Sequence, residues 1–126
     1  MEQKFYLCKH CGNIITFVRN MDVPVICCGE KMEEIKPGVK DAAVEKHIPV
    51  VAVEGNKVEV FIGEVEHPMV DEHYIEWITL ETEKTNQITH LKPGEKPKAE
   101  FAIPEGDKVI SAHEYCNLHG LWKKEL

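Results

Sequence analysis

Four of the five cysteines in this 126-residue chain fall within its first 28 residues, as two closely spaced pairs. The two segments read Cys8-Lys9-His10-Cys11-Gly12 and Cys27-Cys28-Gly29. The first 36 residues contain too few apolar side chains for a core of their own, so their folding energy has to come from metal ligation. This feature constrains the chain most, because it requires a small, metal-stapled module at the N-terminal end.

Four sulfurs supplied by two short loops predict a tetrahedral S4 site, a ligand set that both iron and zinc accept. Glycines beside cysteine knuckles let the backbone turn tightly, so that amide groups point at the sulfurs and tune their charge. Adjacent residues cannot place both sulfurs at ideal tetrahedral angles, so the Cys27-Cys28 pair predicts backbone adjustment and a distorted site. A zinc knuckle that only holds a small domain together stays open as the alternative to iron.

The pattern changes at Lys36-Pro37-Gly38, and we place a domain boundary there, which gives domains 1–36 and 37–126. From Ile48 onward, short segments of alternating apolar and polar residues are separated by turn residues, as in antiparallel sheets. The expected strands are 50–54, 57–65, 74–82, 87–91, 99–103 and 108–115, with Gly55-Asn56 as the first hairpin turn. The sequence therefore predicts an all-β chain whose larger domain is an antiparallel sandwich.

A second group of possible ligands surrounds the fifth cysteine. In Cys116-Asn117-Leu118-His119-Gly120, a cysteine and a histidine three residues apart on a loop can bind one metal. His47, His67 and His73 stand at the ends of expected strands or in the loops beside them. Loops at one end of a sandwich can converge on a single point, so these side chains are candidates for the same metal.

The chain has seven histidines, and a lone histidine is more often a surface or hydrogen-bonded residue than a ligand. His10, His90 and His113 fit that simpler interpretation. Spacing alone does not decide which four histidines belong to a metal, and His113, three residues before Cys116, is also a candidate.

Composition limits the partners that the chain can have. A formal net charge of −7 argues against general affinity for nucleic acid, which requires cationic surface. No apolar run approaches the length that crosses a bilayer, so a cytoplasmic protein is expected, in which cysteines are reduced ligands. An anionic substrate would need a local basic patch or a cationic metal to be drawn in.

Over essentially its whole length the chain resembles desulfoferrodoxin, the two-centre class of superoxide reductase. The two cysteine pairs resemble its desulforedoxin module. The other matching segments are Glu45-Lys46-His47-Ile48-Pro49, His67-Pro68-Met69, His73-Tyr74-Ile75 and Cys116-Asn117-Leu118-His119-Gly120. No position of either iron site departs from the family pattern.

The resemblance implies two irons per chain and a homodimer. A desulforedoxin-like domain carries a rubredoxin-like iron, and an immunoglobulin-like, neelaredoxin-like sandwich carries the catalytic iron. The implied ligands of the first iron are Cys8, Cys11, Cys27 and Cys28; those of the second are His47, His67, His73 and His119 in a plane, with Cys116 on the axis.

The implied activity is the one-electron reduction of superoxide to hydrogen peroxide, with electrons from rubredoxin or a similar donor. Lys46 beside the iron steers the anion in and helps to organise the proton for the product. Glu45 can bind the oxidised iron once product has left. Without the resemblance, Lys46 reads as an ordinary solvated lysine. We regard the first iron as accessory to the reduction of superoxide.

Two other classes of function stay open from the residues alone. One is a non-catalytic zinc module on a sandwich that docks a protein partner. The other is a pure electron carrier whose two irons are closed to substrate. Visible colour separates zinc from ferric thiolate centres, and binding of azide or cyanide to the second iron would exclude the electron carrier.

Overall fold

The computed structural model describes residues 2–38 and 46–126, so Glu45 lies outside the described residues. Within these ranges the chain contains twelve β-strands and divides into two compact units, Met1–Lys36 and Pro37–Leu126. The prediction of an all-β chain is confirmed. No helix in the described ranges has the length and apolarity that a bilayer crossing requires.

The first unit consists of two small sheets. Its strands are β1 (Phe5–Leu7), β2 (Ile14–Thr16), β3 (Ile26–Cys27), β4 (Glu30–Lys31) and β5 (Glu33–Glu34). The order β2-β1-β5 forms one antiparallel sheet, and β3 and β4 form a separate hairpin. Among residues 2–36 the buried apolar side chains are Phe5, Cys8 and Met32, too few for a core of ordinary size.

The second unit is a sandwich of two antiparallel sheets. Its strands are β6 (Pro49–Glu54), β7 (Lys57–Ile62), β8 (Ile75–Thr82), β9 (Asn86–His90), β10 (Lys98–Ala102), β11 (Val109–Cys116) and β12 (Gly120–Glu125). One sheet has the order β10-β7-β6 and the other β12-β11-β8-β9. Inward-facing side chains such as Val58, Val60, Ile78, Leu80 and Phe101 form the core between them.

The expected strands agree with β6 to β11 to within a few residues, but the sequence pattern did not predict β12. Gly120, Leu121 and Trp122 are all buried, and three charged residues follow, so the strand lacks the alternation that marks a half-buried strand. The expectation of a loop around Cys116 was wrong for the same reason. Cys116 ends β11, and residues 117–119 are the turn of a β-hairpin.

A glycine directly after β7 lies against the segment that leads into β6, the neighbouring strand of the same sheet. Gly63 has φ +84°, and its amide donates to the Ile48 carbonyl at 3.2 Å. A Cβ at this position would lie 2.5 Å from the Val65 carbonyl oxygen and 2.7 Å from that of Lys46. Only glycine therefore allows the backbone at Lys46 to approach this closely.

Gly63→Ala should lower the free energy of unfolding of the second unit by about 2–4 kcal/mol, because a left-handed φ and a backbone clash add together. Gly106→Ala is the matched control: Gly106 has φ +79°, but a Cβ there meets nothing within 4 Å. It should cost only about 1 kcal/mol. Urea unfolding followed by tryptophan fluorescence measures both, and equal losses would show that the clash is relieved without cost.

Candidate metal centres

The first pair of cysteines is held by the tight loop between β1 and β2. The Cys8 amide donates to the Asn13 carbonyl and the Gly12 amide to the Cys8 carbonyl, both at 2.9 Å. Gly12 has φ +84°, which closes the loop, and the Asn13 amide then points at the Cys11 sulfur at 3.4 Å. The sequence expectation of an amide directed at a knuckle sulfur is met here.

The adjacent pair spans the turn of the β3–β4 hairpin. Cys28 has φ +53° and Gly29 has φ +79°, so both turn residues are left-handed, as a two-residue turn of type I′ requires. A non-glycine residue with positive φ is uncommon and costs conformational energy. This is the backbone adjustment that the Cys27-Cys28 pair predicted, since it turns the second sulfur toward the first pair.

The four sulfurs lie within 4.8 Å of one another, with the Cys11 and Cys27 sulfurs 3.7 Å apart. The Cys11 amide lowers the pKa of the Cys8 thiol to about 6, whereas the sulfurs of Cys11 and Cys8 raise the pKa of Cys28 to about 12. Four thiolates this close repel one another unless a cation lies between them. The donor set therefore fits a tetrahedral metal such as iron or zinc.

The second group is a closed cycle of four imidazole rings in the second unit. Ring centroids are 4.7 Å apart for His47 and His67, and 4.6 Å for His67 and His73. They are 5.0 Å apart for His73 and His119, and again for His119 and His47. Neighbouring rings cross at 67° to 77°, so each presents an edge to the next. This cyclic edge-to-face arrangement leaves a common centre toward which ring nitrogens can point.

A hydrogen bond on the outer side of the His67 ring fixes which of its two nitrogens faces that centre. Nδ1 of His67 lies 2.7 Å from the Pro68 carbonyl and must donate to it, and its buried Nε2 has no partner among the described residues. The buried Nε2 of His73 also has none. Buried polar nitrogens are nearly always bonded, so these two atoms fit metal ligands.

His47 is held by two residues that face each other across β11 and β12. Its Nδ1 lies 3.3 Å from a carboxyl oxygen of Glu114, and its ring stacks on Trp122 at 4.9 Å. Burial lowers the pKa of His47 to about 4 and raises that of Glu114 well above its usual range. Both shifts favour a neutral pair over an ion pair, so His47 donates from Nδ1 and keeps a free lone pair on Nε2.

Cys116 supplies the sulfur of this group. Its Sγ lies 3.8 Å from Nδ1 of His119, and the donor atoms of His47, His67, His73 and Cys116 all lie within 4.8 Å of one another. Burial raises the pKa of the Cys116 thiol, while the amides of His119 and Leu118 act in the opposite direction. A bound cation would favour the thiolate further, so this sulfur also fits a metal ligand.

Lys46 contributes a positive charge to the electrostatics of this group. Its positive charge lowers the pKa of His47, His67 and His73, although burial is the larger cause for all three. The Lys46 side chain is half-buried. It can therefore act on a small anion that enters the histidine cycle without being a ligand itself.

The other three histidines stand elsewhere. Nε2 of His10 lies 3.1 Å from Glu30 on the surface, His90 is exposed at the end of β9, and His113 is buried in β11. His113 does not belong to either candidate metal group. Strand geometry separates it from Cys116, because residues three apart on a strand point to opposite faces.

Several residues near the second group had no role in the sequence interpretation. They are Gly63, Glu114, Asn117 and Trp122. Glu114 could have been found, since residues two apart on a strand share a face and Glu114 therefore accompanies Cys116 inward. Trp122 could not, because β12 was not predicted and the register that opposes it to Glu114 depends on that strand.

The fold and the two donor groups define a two-centre non-haem metalloprotein built on a β-sandwich. The profile of the desulfoferrodoxin family matches residues 39–125. The desulfoferrodoxin of Nitratidesulfovibrio vulgaris is 46% identical over 124 residues, which cover 98% of this chain and 97% of that protein. The chain therefore belongs to the desulfoferrodoxin family, as its resemblance implied.

Two solved structures are similar to the chain. The superoxide reductase from Treponema pallidum superposes with a TM-score of 0.82 at 38% identity and covers 98% of both chains. The one-iron superoxide reductase from Giardia intestinalis gives a TM-score of 0.57 at 34% identity, covering 65% of this chain and 99% of its own. The prediction of an immunoglobulin-like sandwich preceded by a small metal-binding segment is confirmed.

The stability of the metal-free second unit should depend on His67 as the pH falls. Burial lowers the pKa of folded His67 to about 4, from an ordinary value of 6.5. Between pH 6.5 and pH 4 the His67 imidazole is protonated in the unfolded chain but not in the folded chain. Lowering the pH through this range therefore destabilises the folded state by up to about 1.4 kcal/mol per pH unit. The stability of wild type relative to His67→Gln should therefore decrease from pH 7 to pH 5.

Urea unfolding of both proteins at each pH gives this difference, in which titrating groups remote from His67 cancel. His90→Gln is the control for removal of a histidine outside the metal groups, since the His90 side chain is exposed at the end of β9. A difference between wild type and His67→Gln that stays constant from pH 7 to pH 5 would contradict the assignment of a buried neutral imidazole.

Proposed function

We propose that this chain is a superoxide reductase. The observation that carries the proposal is the closed cycle of four imidazoles with a buried thiol at 3.8 Å from one of them. The proposed ligands of the second, catalytic iron are His47, His67, His73, His119 and Cys116. Membership of the desulfoferrodoxin family and the similarity to solved superoxide reductases support the assignment.

Four neutral imidazoles and one thiolate carry little charge, so the centre can accept a small anion. When bound, iron supplies the electron and a position for superoxide, and the thiolate raises electron density at that position. Reduction of one superoxide consumes one electron and two protons and yields one hydrogen peroxide. The chain's own residues have to admit the anion and to keep the imidazoles neutral and fixed in orientation.

We assign admission of the anion to Lys46. The protein carries a formal net charge of −7, so superoxide approaches against the overall field. A half-buried ammonium whose charge acts on three of the histidines offsets that repulsion locally. Lys46 can also organise water that delivers a proton to the product. Glu45 is proposed, on the family resemblance alone, to bind the oxidised iron once product has left.

The first unit is proposed to be a desulforedoxin-like domain, 1–36, whose iron is bound by Cys8, Cys11, Cys27 and Cys28. The catalytic domain is then 37–126. Each turnover requires one external electron, for which we propose rubredoxin or a similar small donor. We further propose a homodimer in the cytoplasm, where thiols stay reduced and available to metals.

Iron-loaded chain should remove superoxide in the presence of a reductant, form one hydrogen peroxide per superoxide and release no dioxygen. Metal analysis should find about two irons per chain, one for each donor group. His73→Ala should lose the activity, whereas His90→Ala should keep it. Release of dioxygen would indicate dismutation instead, and a colourless zinc protein without activity would favour the non-catalytic module.

Lys46→Ala should slow the second-order reaction with superoxide by about tenfold and weaken its dependence on ionic strength, because steering by a local charge is lost. Lys46→Arg should retain most of the rate. Stopped-flow measurements at several salt concentrations test this, with Lys57→Ala on β7 as a control for removal of a remote charge. An unchanged rate and salt dependence in Lys46→Ala would refute the steering role.

A further inference from the structure

We propose that Asn117 is a positioning residue of the second centre, which fixes His73 in place from the hairpin that carries Cys116 and His119. The proposal rests on the proposed function only in that His73 is taken as a metal ligand. Asn117 follows Cys116 directly and begins the β11–β12 turn. Its half-buried side chain faces the segment around His73 rather than its own turn.

Three hydrogen bonds join Asn117 to the residues on either side of His73. The Tyr74 amide donates to Oδ1 of Asn117 at 2.9 Å, and Nδ2 of Asn117 donates to the Glu72 carbonyl at 3.0 Å. The Asn117 amide donates to the Tyr74 carbonyl at 3.2 Å. The carboxamide thus binds the backbone on both sides of one ligand.

These bonds are tertiary contacts, so the usual role of asparagine in a turn does not account for them. A turn-forming asparagine bonds to its own backbone two or three residues away. Here the bonded residues are 43 and 45 positions distant in the sequence. The side chain therefore extends the β8–β11 pairing, which ends at Cys116 and Ile75, to the residues on either side of His73.

His73 depends on this connection more than His47 and His67 depend on any single backbone link. His47 is hydrogen-bonded to Glu114 and stacked on Trp122, and His67 donates to the Pro68 carbonyl. For the His73 ring, no hydrogen bond is found within the described part of the chain, and its Nε2 is buried. Its position is set by edge contacts with the neighbouring imidazole rings and by its backbone, which a local bridge to Val70 and the Asn117 bonds hold on two sides.

The arrangement requires a carboxamide. One oxygen accepts from the Tyr74 amide while one nitrogen donates to the Glu72 carbonyl, and only asparagine offers both at this length. Aspartate would keep the acceptor but place a second oxygen against the Glu72 carbonyl. Alanine would remove both side-chain hydrogen bonds and leave only the hydrogen bond from the backbone N–H of residue 117 to the Tyr74 carbonyl. The alanine variant therefore loses both side-chain bonds, whereas the aspartate variant keeps the bond to Tyr74 and adds repulsion at Glu72.

The test measures Co²⁺ affinity of the second site in the full chain, with the four-thiolate site as an internal control. Asn117→Ala should weaken Co²⁺ binding about 10–100-fold, as loss of an outer-shell partner does. The absorption spectrum of the Co²⁺ form of Asn117→Ala should shift toward that of His73→Ala. The affinity of the four-thiolate site should not change.

A double-mutant cycle separates positioning of His73 from general destabilisation. In a His73→Ala background, adding Asn117→Ala should have almost no further effect, because the residue it positions is gone. In a His47→Ala background, which retains His73, the 10–100-fold loss should persist. Equal losses in both backgrounds, or none in the single variant, would overturn the proposal.

The cycle is independent of the catalytic assignment. If the chain failed to reduce superoxide, non-additive Co²⁺ binding would still support the role of Asn117. If the effects of the two substitutions on Co²⁺ affinity were additive, the proposal for Asn117 would fail, but the superoxide assay of the wild-type chain would be unaffected. Urea unfolding of the metal-free variants completes the test, since folded Asn117→Ala with normal affinity would also overturn the proposal.

Discussion

The antiparallel pairing of β11 with β12 is the constraint on which the second centre depends. The turn between these strands places the Cys116 sulfur and the His119 ring 3.8 Å apart. The same register sets Glu114 opposite Trp122, and these two residues hold His47 by a hydrogen bond and a ring stack. A shift of one residue would reverse the faces of all of them. One hairpin therefore determines most of the geometry of the site.

Burial then gives these groups the charge state that a metal needs. Desolvation lowers the pKa of His47 and His67 to about 4, so both imidazoles stay neutral at physiological pH. A neutral imidazole with one nitrogen hydrogen-bonded on the outside can only offer the other nitrogen to the centre. The site is consequently prepared by packing and hydrogen bonds, before any ion contributes energy.

The sequence predicted the parts of the molecule that follow from local chemistry. Paired cysteines indicated an S4 knuckle, and alternating residues located β6 to β11 to within a few positions. It did not predict β12, because Leu121 and Trp122 are buried in succession and the pattern is not periodic. Without β12, the sequence did not indicate that Glu114 and Trp122 contact His47. Only the family resemblance identified which of the seven histidines are expected to be ligands. Convergence of loops is a tertiary property that spacing does not encode.

The two units differ in how far they depend on a metal for their structure. The described residues of the first unit bury few apolar side chains, so its fold needs the energy of ligation, and four adjacent sulfurs need a cation. The second unit has a core between two sheets, and protein contacts orient His47 and His67. Protein contacts of this kind would also keep the donors in place while a small substrate exchanges, as turnover at a bound metal requires.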